Sequence, residues 1–181
     1  MTTLTFPLHS PRLVLRPHRE TDVEALHRIY SRADVARYLL EEPWTAAIAV
    51  EKVNGRLAKD DLDGQSGALA LVLERDGNPI GDVALWYTDP ERRVTEIGWV
   101  LDPEHGGQGF ATEAVRAVLD LAFDHYRVHR VAAQMDVRND GSAKLAANAG
   151  MRHEAHLRQN WWSKGEWTDT VIFGMLAADR P

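Results

Sequence analysis

Residues 105–114 read HGGQGFATEA, with three glycines and small polar residues set directly before a helical stretch. A glycine-rich turn that runs into a helix leaves unpaired backbone N–H groups at the positive end of the helix dipole, and such a site binds phosphate. Two phosphate-binding patterns do not fit it. The P-loop requires a lysine directly after its last glycine, and Phe110 follows Gly109. The dinucleotide fingerprint finds its first two glycines in Gly107 and Gly109, but Thr112 stands where the third belongs. Other chemistries are also thinly represented. With no cysteine there is no thiolate nucleophile or thiolate metal site, and no Gly-x-Ser-x-Gly elbow marks a serine hydrolase. His105, His125 and His129 lack carboxylates at ligand spacing, so no metal is expected.

The elements that must position this turn can be read from periodicity. RLVLR (12–16) alternates and closes on Pro17, which predicts a first strand. Thr21 to Glu24 has capping-box spacing ahead of a helix through Tyr30, and two further helices are expected at 34–40 and 45–59. Residues 68–75 and 80–87 are apolar runs around the turn Asp76-Gly77-Asn78-Pro79, a hairpin signature, and 93–101 extends the pair into an antiparallel meander. After Leu101 the period changes: Ala111, Ala114, Val115, Val118, Leu121 and Ala122 form one stripe of a helix. A strand at 129–137, a short helix at 139–148 closed by Gly150, and two strands at 151–157 and 167–176 joined by a tryptophan-rich loop complete the order. Without repeat, low-complexity tract or linker, the 181 residues read as a single α/β domain.

Bulk charge narrows the partners. Twenty-seven acidic against 21 basic side chains give a net charge of −6, which disfavours a general nucleic-acid binder. No signal segment and no apolar run long enough for a membrane span is evident, so a cytoplasmic location without membrane attachment is expected.

EIGWVLDPEHGGQGFATEAVRAVLDLAF and the following HRVAAQMDVRNDGSAKLAANAGM resemble the acetyl-CoA-binding core of the GNAT N-acetyltransferase superfamily. The ATEA after the glycines, the Asn139-x-x-Ser142 pair, Ala149-Gly150-Met151 and the opening PRLVLRPHRETDVEALHRIY resemble the branch of ribosomal-protein N-terminal acetyltransferases. The resemblance implies a mostly antiparallel mixed sheet with a splayed central strand pair and flanking helices. It also implies transfer of acetyl, or a larger acyl group such as succinyl, from coenzyme A to a primary amine of a protein N-terminus, a lysine or a small molecule. The coenzyme pyrophosphate would rest on the loop Gly106, Gly107, Gln108, Gly109, Phe110 and Ala111, with Gly106 standing where the family has Gln or Arg. Thr112 would either offer its hydroxyl to a phosphate or simply occupy the first helical turn. The pantetheine arm would pair with backbone around Trp99, Val100 and Leu101, and an N–H near Val100 or Leu101 would polarise the thioester carbonyl. Asn139 would bind the pantetheine amides or, equally compatibly, cap its helix.

Roles for side chains follow from the same resemblance. Glu96, which alternation sets opposite Ile97 and Trp99, is the candidate general base, its other reading being a solvent-facing strand carboxylate. Ser142 is the candidate acid for the departing thiol or, equally compatibly, a first-turn residue of its helix; the tyrosine that many members use is replaced by the run Leu145 to Asn148. Trp44, Trp86, Trp161 and Trp162 would wall an acceptor groove or else fill a core or a dimer contact. The glutamate that serves as base in the ribosomal branch is absent: Gln159, Asn160 and Trp161 stand in its neighbourhood. A non-catalytic acyl-CoA-binding or sensing module is the alternative in a different class, and the chain would act as a monomer or homodimer.

Overall fold

The computed structural model describes residues 4–180. In chain order its elements are β1 (Leu8–His9), β2 (Val14–Pro17), α1 (Val23–Tyr30), α2 (Ala33–Ala36), α3 (Ala46–Leu57), β3 (Asp60–Asp61), β4 (Ala68–Arg75), β5 (Asn78–Tyr87), β6 (Val94–Leu101), α4 (Phe110–Asp124), β7 (Arg130–Asp136), α5 (Asp140–Asn148), β8 (Arg152–Ser163) and β9 (Glu166–Leu176). The strands form one nine-stranded sheet in the order β1-β2-β4-β5-β6-β7-β9-β8, with β3 paired to β4. Every pairing is antiparallel except β6 with β7. That exception has a topological cause, because α4 carries the chain back across the sheet between them and a parallel pair requires such a crossover.

The sheet is covered on both faces. In β4 the first six residues, ALALVL, are all buried, a uniformity that a strand shows only when both its faces are packed. Leu69, Leu71 and Leu73 join Ile97 and the α4 stripe Ala114, Val115 and Val118 in the larger core. Leu26, Ile29, Tyr30 and Val53 from α1 and α3 form a second core on the opposite side. Burial of each such side chain contributes about 1.5–3 kcal/mol, so these two layers supply the rigid frame on which the site is built.

Three local expectations are revised. Thr21 does not cap α1. A 3₁₀ turn at Glu20–Asp22 precedes that helix, and the Asp22 carboxylate accepts the Arg19 N–H at 2.7 Å. Asp22 is held there by the buried Arg16 guanidinium, which donates to both its oxygens at 2.9 and 2.8 Å and to Glu74 at 2.7 Å. The helix expected at 34–40 stops at Ala36, and residues 37–40 form turns. The tail strands run longer than their apolar patterns, so Trp161, Trp162 and Trp167 lie on the β8–β9 hairpin itself, with Lys164 and Gly165 as its two-residue turn. The added strand positions are mostly exposed and carry no hydrophobic periodicity.

Candidate active site

β6 and β7 part in the middle of the sheet. Their pairing comprises Val94 with Arg130, Thr95 with Val131 and Glu96 with Ala132, whereas β6 stays paired to β5 up to Leu101 and β7 to β9 up to Asp136. Beyond Glu96 the inner edges of the two strands therefore have no partner strand, and an extended ligand can take the place of one there. On the other side of β6, a Cβ at Gly81 of β5 would lie 2.2 Å from the Val100 carbonyl oxygen, so only glycine permits the close approach of β5 to β6 there.

Three cavities meet along this fork. The outermost, about 570 Å³, lies against the glycine loop and the start of α4 and reaches Trp99 to Leu101 on β6. The second, about 340 Å³, follows β6 from Ile97 to Val100 and shares Trp99, Val100, Asn139 and Ser142 with the first. A third of about 290 Å³, bounded by Trp86, Glu96 and Trp161, shares Gln134 and Met135 with the second. Shared linings set the three side by side along the fork, together termed the channel. Tyr38 and Leu39, from the turn after α2, line all three and form a common roof.

At the outer end the loop has the conformation its glycines allow. Gly107 and Gly109 have φ of 72° and 80°, and Gly109 is the N-cap of α4. These left-handed positions favour glycine because they place no Cβ against the neighbouring carbonyl. Arg12 braces the turn by donating to the Gln108 carbonyl at 2.9 Å and to Glu113 at 2.7 Å, with its guanidinium 4.5 Å from the Phe110 ring centroid. Gly106, Gly107, Gly109, Phe110, Ala111 and Thr112 line the cavity. Gln108 does not line it; its carbonyl accepts from Arg12. The cradle of glycines, the α4 N-terminus and the open edge of β6 together fit a coenzyme with a pyrophosphate and an amide-bearing arm.

At the inner end stands Glu96. Its carboxylate is half-buried and accepts a hydrogen bond from the Gln134 amide at 3.0 Å, across the point where β6 and β7 separate. Burial pushes its pKa above the usual glutamate range, and the Gln134 hydrogen bond partly opposes the shift. Trp86 is its register partner on β5, with the indole edge over Gly98. Asn139 caps α5, its Oδ1 accepting the Ser142 N–H at 3.0 Å, so both residues present themselves to the coenzyme side of the fork.

Two of the tryptophans sit elsewhere than in the groove expected for them. Trp44 is 3% exposed, stacks on Tyr30 with ring centroids 3.9 Å apart and donates to Glu41 at 2.9 Å, which makes it core. Trp162 is 60% exposed and packs edge-on against Trp167, away from the cavity that Trp161 lines. Several channel residues carried no sequence signal, namely Tyr38, Leu39, Met135 and Lys164. Gln134 follows from the register: Glu96 is level with Ala132, and alternation returns the next same-face side chain at 134. Tyr30, Asp82 and Arg56 form a buried polar wall of the second cavity, with the Tyr30 hydroxyl donating to Asp82 at 2.6 Å and Arg56 donating to the same carboxylate. Next to it, burial lowers the pKa of His18 to about 4. Among the described residues no group of three or more His, Asp or Glu could hold a metal ion, and no helix is long and apolar enough to cross a membrane.

Comparison with known proteins agrees with this geometry. Residues 12–152 match the acetyltransferase (GNAT) domain model. The N-acetyltransferase p20 of Bacillus licheniformis is 28% identical over 169 residues, covering 93% of this chain and 95% of that protein. A GNAT-family acetyltransferase of Bacillus anthracis superposes with a TM-score of 0.84 at 25% identity, covering 96% of this chain and 99% of the other. The ribosomal L7/L12 α-N-protein acetyltransferase RimL, solved with coenzyme A, has the same fold, with a TM-score of 0.81 at 21% identity over 92% of this chain and 95% of its own. The fold, the forked strand pair with its glycine loop and the matched family model lead to one conclusion: the chain belongs to the GNAT acetyltransferase family and is an N-acetyltransferase that uses acetyl-CoA.

Proposed function

We propose that the acceptor is a primary amine of the α-amino type, on a polypeptide N-terminus or a small molecule, and that it enters the Glu96 cavity to meet the acyl donor at the fork. The observation that carries this reading is Glu96 itself: a partly desolvated carboxylate, raised in pKa, at the junction of the coenzyme channel and a second opening walled by Trp86 and Trp161. An α-amine has a reference pKa of about 8 and is partly neutral near neutral pH, so a single carboxylate is enough to take its proton. The cavity also lacks a one-sided charge. Arg138 is spent on Asp136 and Glu166, and the Lys164 ammonium is bound to main-chain carbonyls.

Acetyl-CoA supplies the activated acyl thioester. The chain's own groups then divide the work. Gly106 to Thr112 and the α4 N-terminus hold the pyrophosphate, and Asn139 with the open edge of β6 holds the amide-bearing arm. Backbone N–H near Val100 or Leu101 stabilises charge on the thioester oxygen. Glu96 accepts the amine proton directly or through a water, and the Ser142 hydroxyl donates towards the sulfur. Tyr38 and Leu39 roof the junction and exclude water.

The test is coenzyme A release from acetyl-CoA and succinyl-CoA against peptides with free α-amines, lysine peptides and small amines, with intact-mass identification of the product. Acylation of α-amines in preference to lysine side chains supports the reading; acylation of lysine side chains alone overturns it.

A further inference from the structure

The roof over the channel is tied down from a distant part of the chain. α2 ends at Ala36, and residues 37–40 continue as a turn in which the Ala36 carbonyl accepts the Leu39 N–H at 3.0 Å. Lys164 adds a donor from outside that turn. From the turn of the β8–β9 hairpin, on the far side of the Glu96 cavity, its Nζ donates to the Ala36 carbonyl and, at 2.9 Å, to the Leu39 carbonyl. These two carbonyls bracket Tyr38, and Tyr38 and Leu39 line all three cavities. An ammonium near the C-terminal end of a helix is also favourably placed with respect to its dipole. The hairpin that carries Lys164 bears Trp161, a wall of the Glu96 cavity, whereas Lys164 itself does not touch the coenzyme cavity.

We propose that Lys164 is a positioning residue that fastens the shared roof, and that through it the acceptor hairpin sets the affinity of the coenzyme channel. The inference rests on the assignment of the outer cavities to coenzyme A. Its physical content is a coupling. Whatever moves the hairpin moves the roof carbonyls, and the roof is common to both ligands, so occupation of the Glu96 cavity changes the affinity of the coenzyme channel and is changed by it by the same factor.

The experiment measures coenzyme A binding by calorimetry to the full chain, wild type, Lys164→Met and Lys164→Arg, together with the KM for acetyl-CoA, kcat and the melting temperature. Lys164 is exposed at a hairpin tip, so neither change threatens the fold. Loss of the ammonium is expected to weaken coenzyme A binding and raise the KM for acetyl-CoA about 5- to 10-fold, the lower part of the usual range for coupled sites, with the melting temperature unchanged. Lys164→Arg, which retains charged donors for both carbonyls, is expected to restore wild-type binding. Wild-type affinity in Lys164→Met, or failure of Lys164→Arg to restore what Lys164→Met loses, overturns the proposal. Absence of coenzyme A binding by the wild type would instead overturn the assignment of the outer cavities.

Discussion

The Gln134 side-chain amide donates to the Glu96 carboxylate at 3.0 Å, bridging β6 and β7 two residues beyond their last paired position on β7. The bond joins the two arms of the fork where the channel from the coenzyme side meets the Glu96 cavity. It also favours the ionised form of the candidate base, in part offsetting the larger effect of burial.

This yields a pH prediction. Activity falls on the acid side as Glu96 takes up a proton, and because burial raises its pKa the midpoint lies above the ordinary glutamate value of about 4.3. Gln134→Leu removes a hydrogen bond that favours the carboxylate, so this limb of kcat/KM, which lies below the one set by the acceptor amine's own pKa of about 8, moves to higher pH. A limb that stays in place or moves lower in the variant contradicts the assignment.

The tryptophans separate by location. Trp161 lines the Glu96 cavity and Trp162 does not, although they are neighbours in sequence. Trp161→Ala is expected to raise the acceptor KM about tenfold, equivalent to about 1.4 kcal/mol of lost contact, while Trp162→Ala leaves it unchanged. Steady-state kinetics at saturating acetyl-CoA distinguishes the two.

Gly81 tests the fork as a structural feature. In Gly81→Ala the new Cβ would meet the Val100 carbonyl oxygen at 2.2 Å, a backbone atom of a strand paired to β5 from Thr95 to Leu101. The sheet has to shift, at an expected cost of about 1–3 kcal/mol in urea denaturation. Because the displaced residues are Val100 and Leu101, coenzyme A affinity is expected to fall as well.

Asn139 caps a helix and, in the function proposed above, also holds the coenzyme arm. Its side chain caps α5 through the Ser142 N–H, so Asn139→Ala is expected to cost about 1 kcal/mol of stability from the cap alone. Asn139→Asp keeps the capping oxygen but not the amide donor. Thermal denaturation then reports the cap, while the KM for acetyl-CoA reports the contact with the coenzyme arm, and only the second is expected to remain impaired in Asn139→Asp.

Much of this site was legible because its parts are local. The glycine loop with its two left-handed positions, the α4 stripe, the Asn139 cap and the β4–β5 hairpin each follow from short-range patterning. What escaped depends on contacts distant in sequence. The helix expected at 34–40 ends at Ala36 and yields a roof whose carbonyls are held by a lysine 125 and 128 positions away. Trp44 looked like a groove residue by type alone, and its stacking on Tyr30 places it in the second core. Thr21 was displaced as a cap because Arg16, on β2, positions the Asp22 carboxylate at the helix entry.

The most direct test of Glu96 as the base at the fork is the pH dependence of acetyl transfer to an α-amine peptide by wild type and Glu96→Gln in parallel. At neutral pH the variant is expected to be slower by about 10²- to 10³-fold, the range of a lost general base. The defect is expected to narrow as pH rises past the amine pKa of about 8, where the acceptor is already neutral. Wild-type turnover by Glu96→Gln at neutral pH, or a defect of constant size across the range, would contradict it.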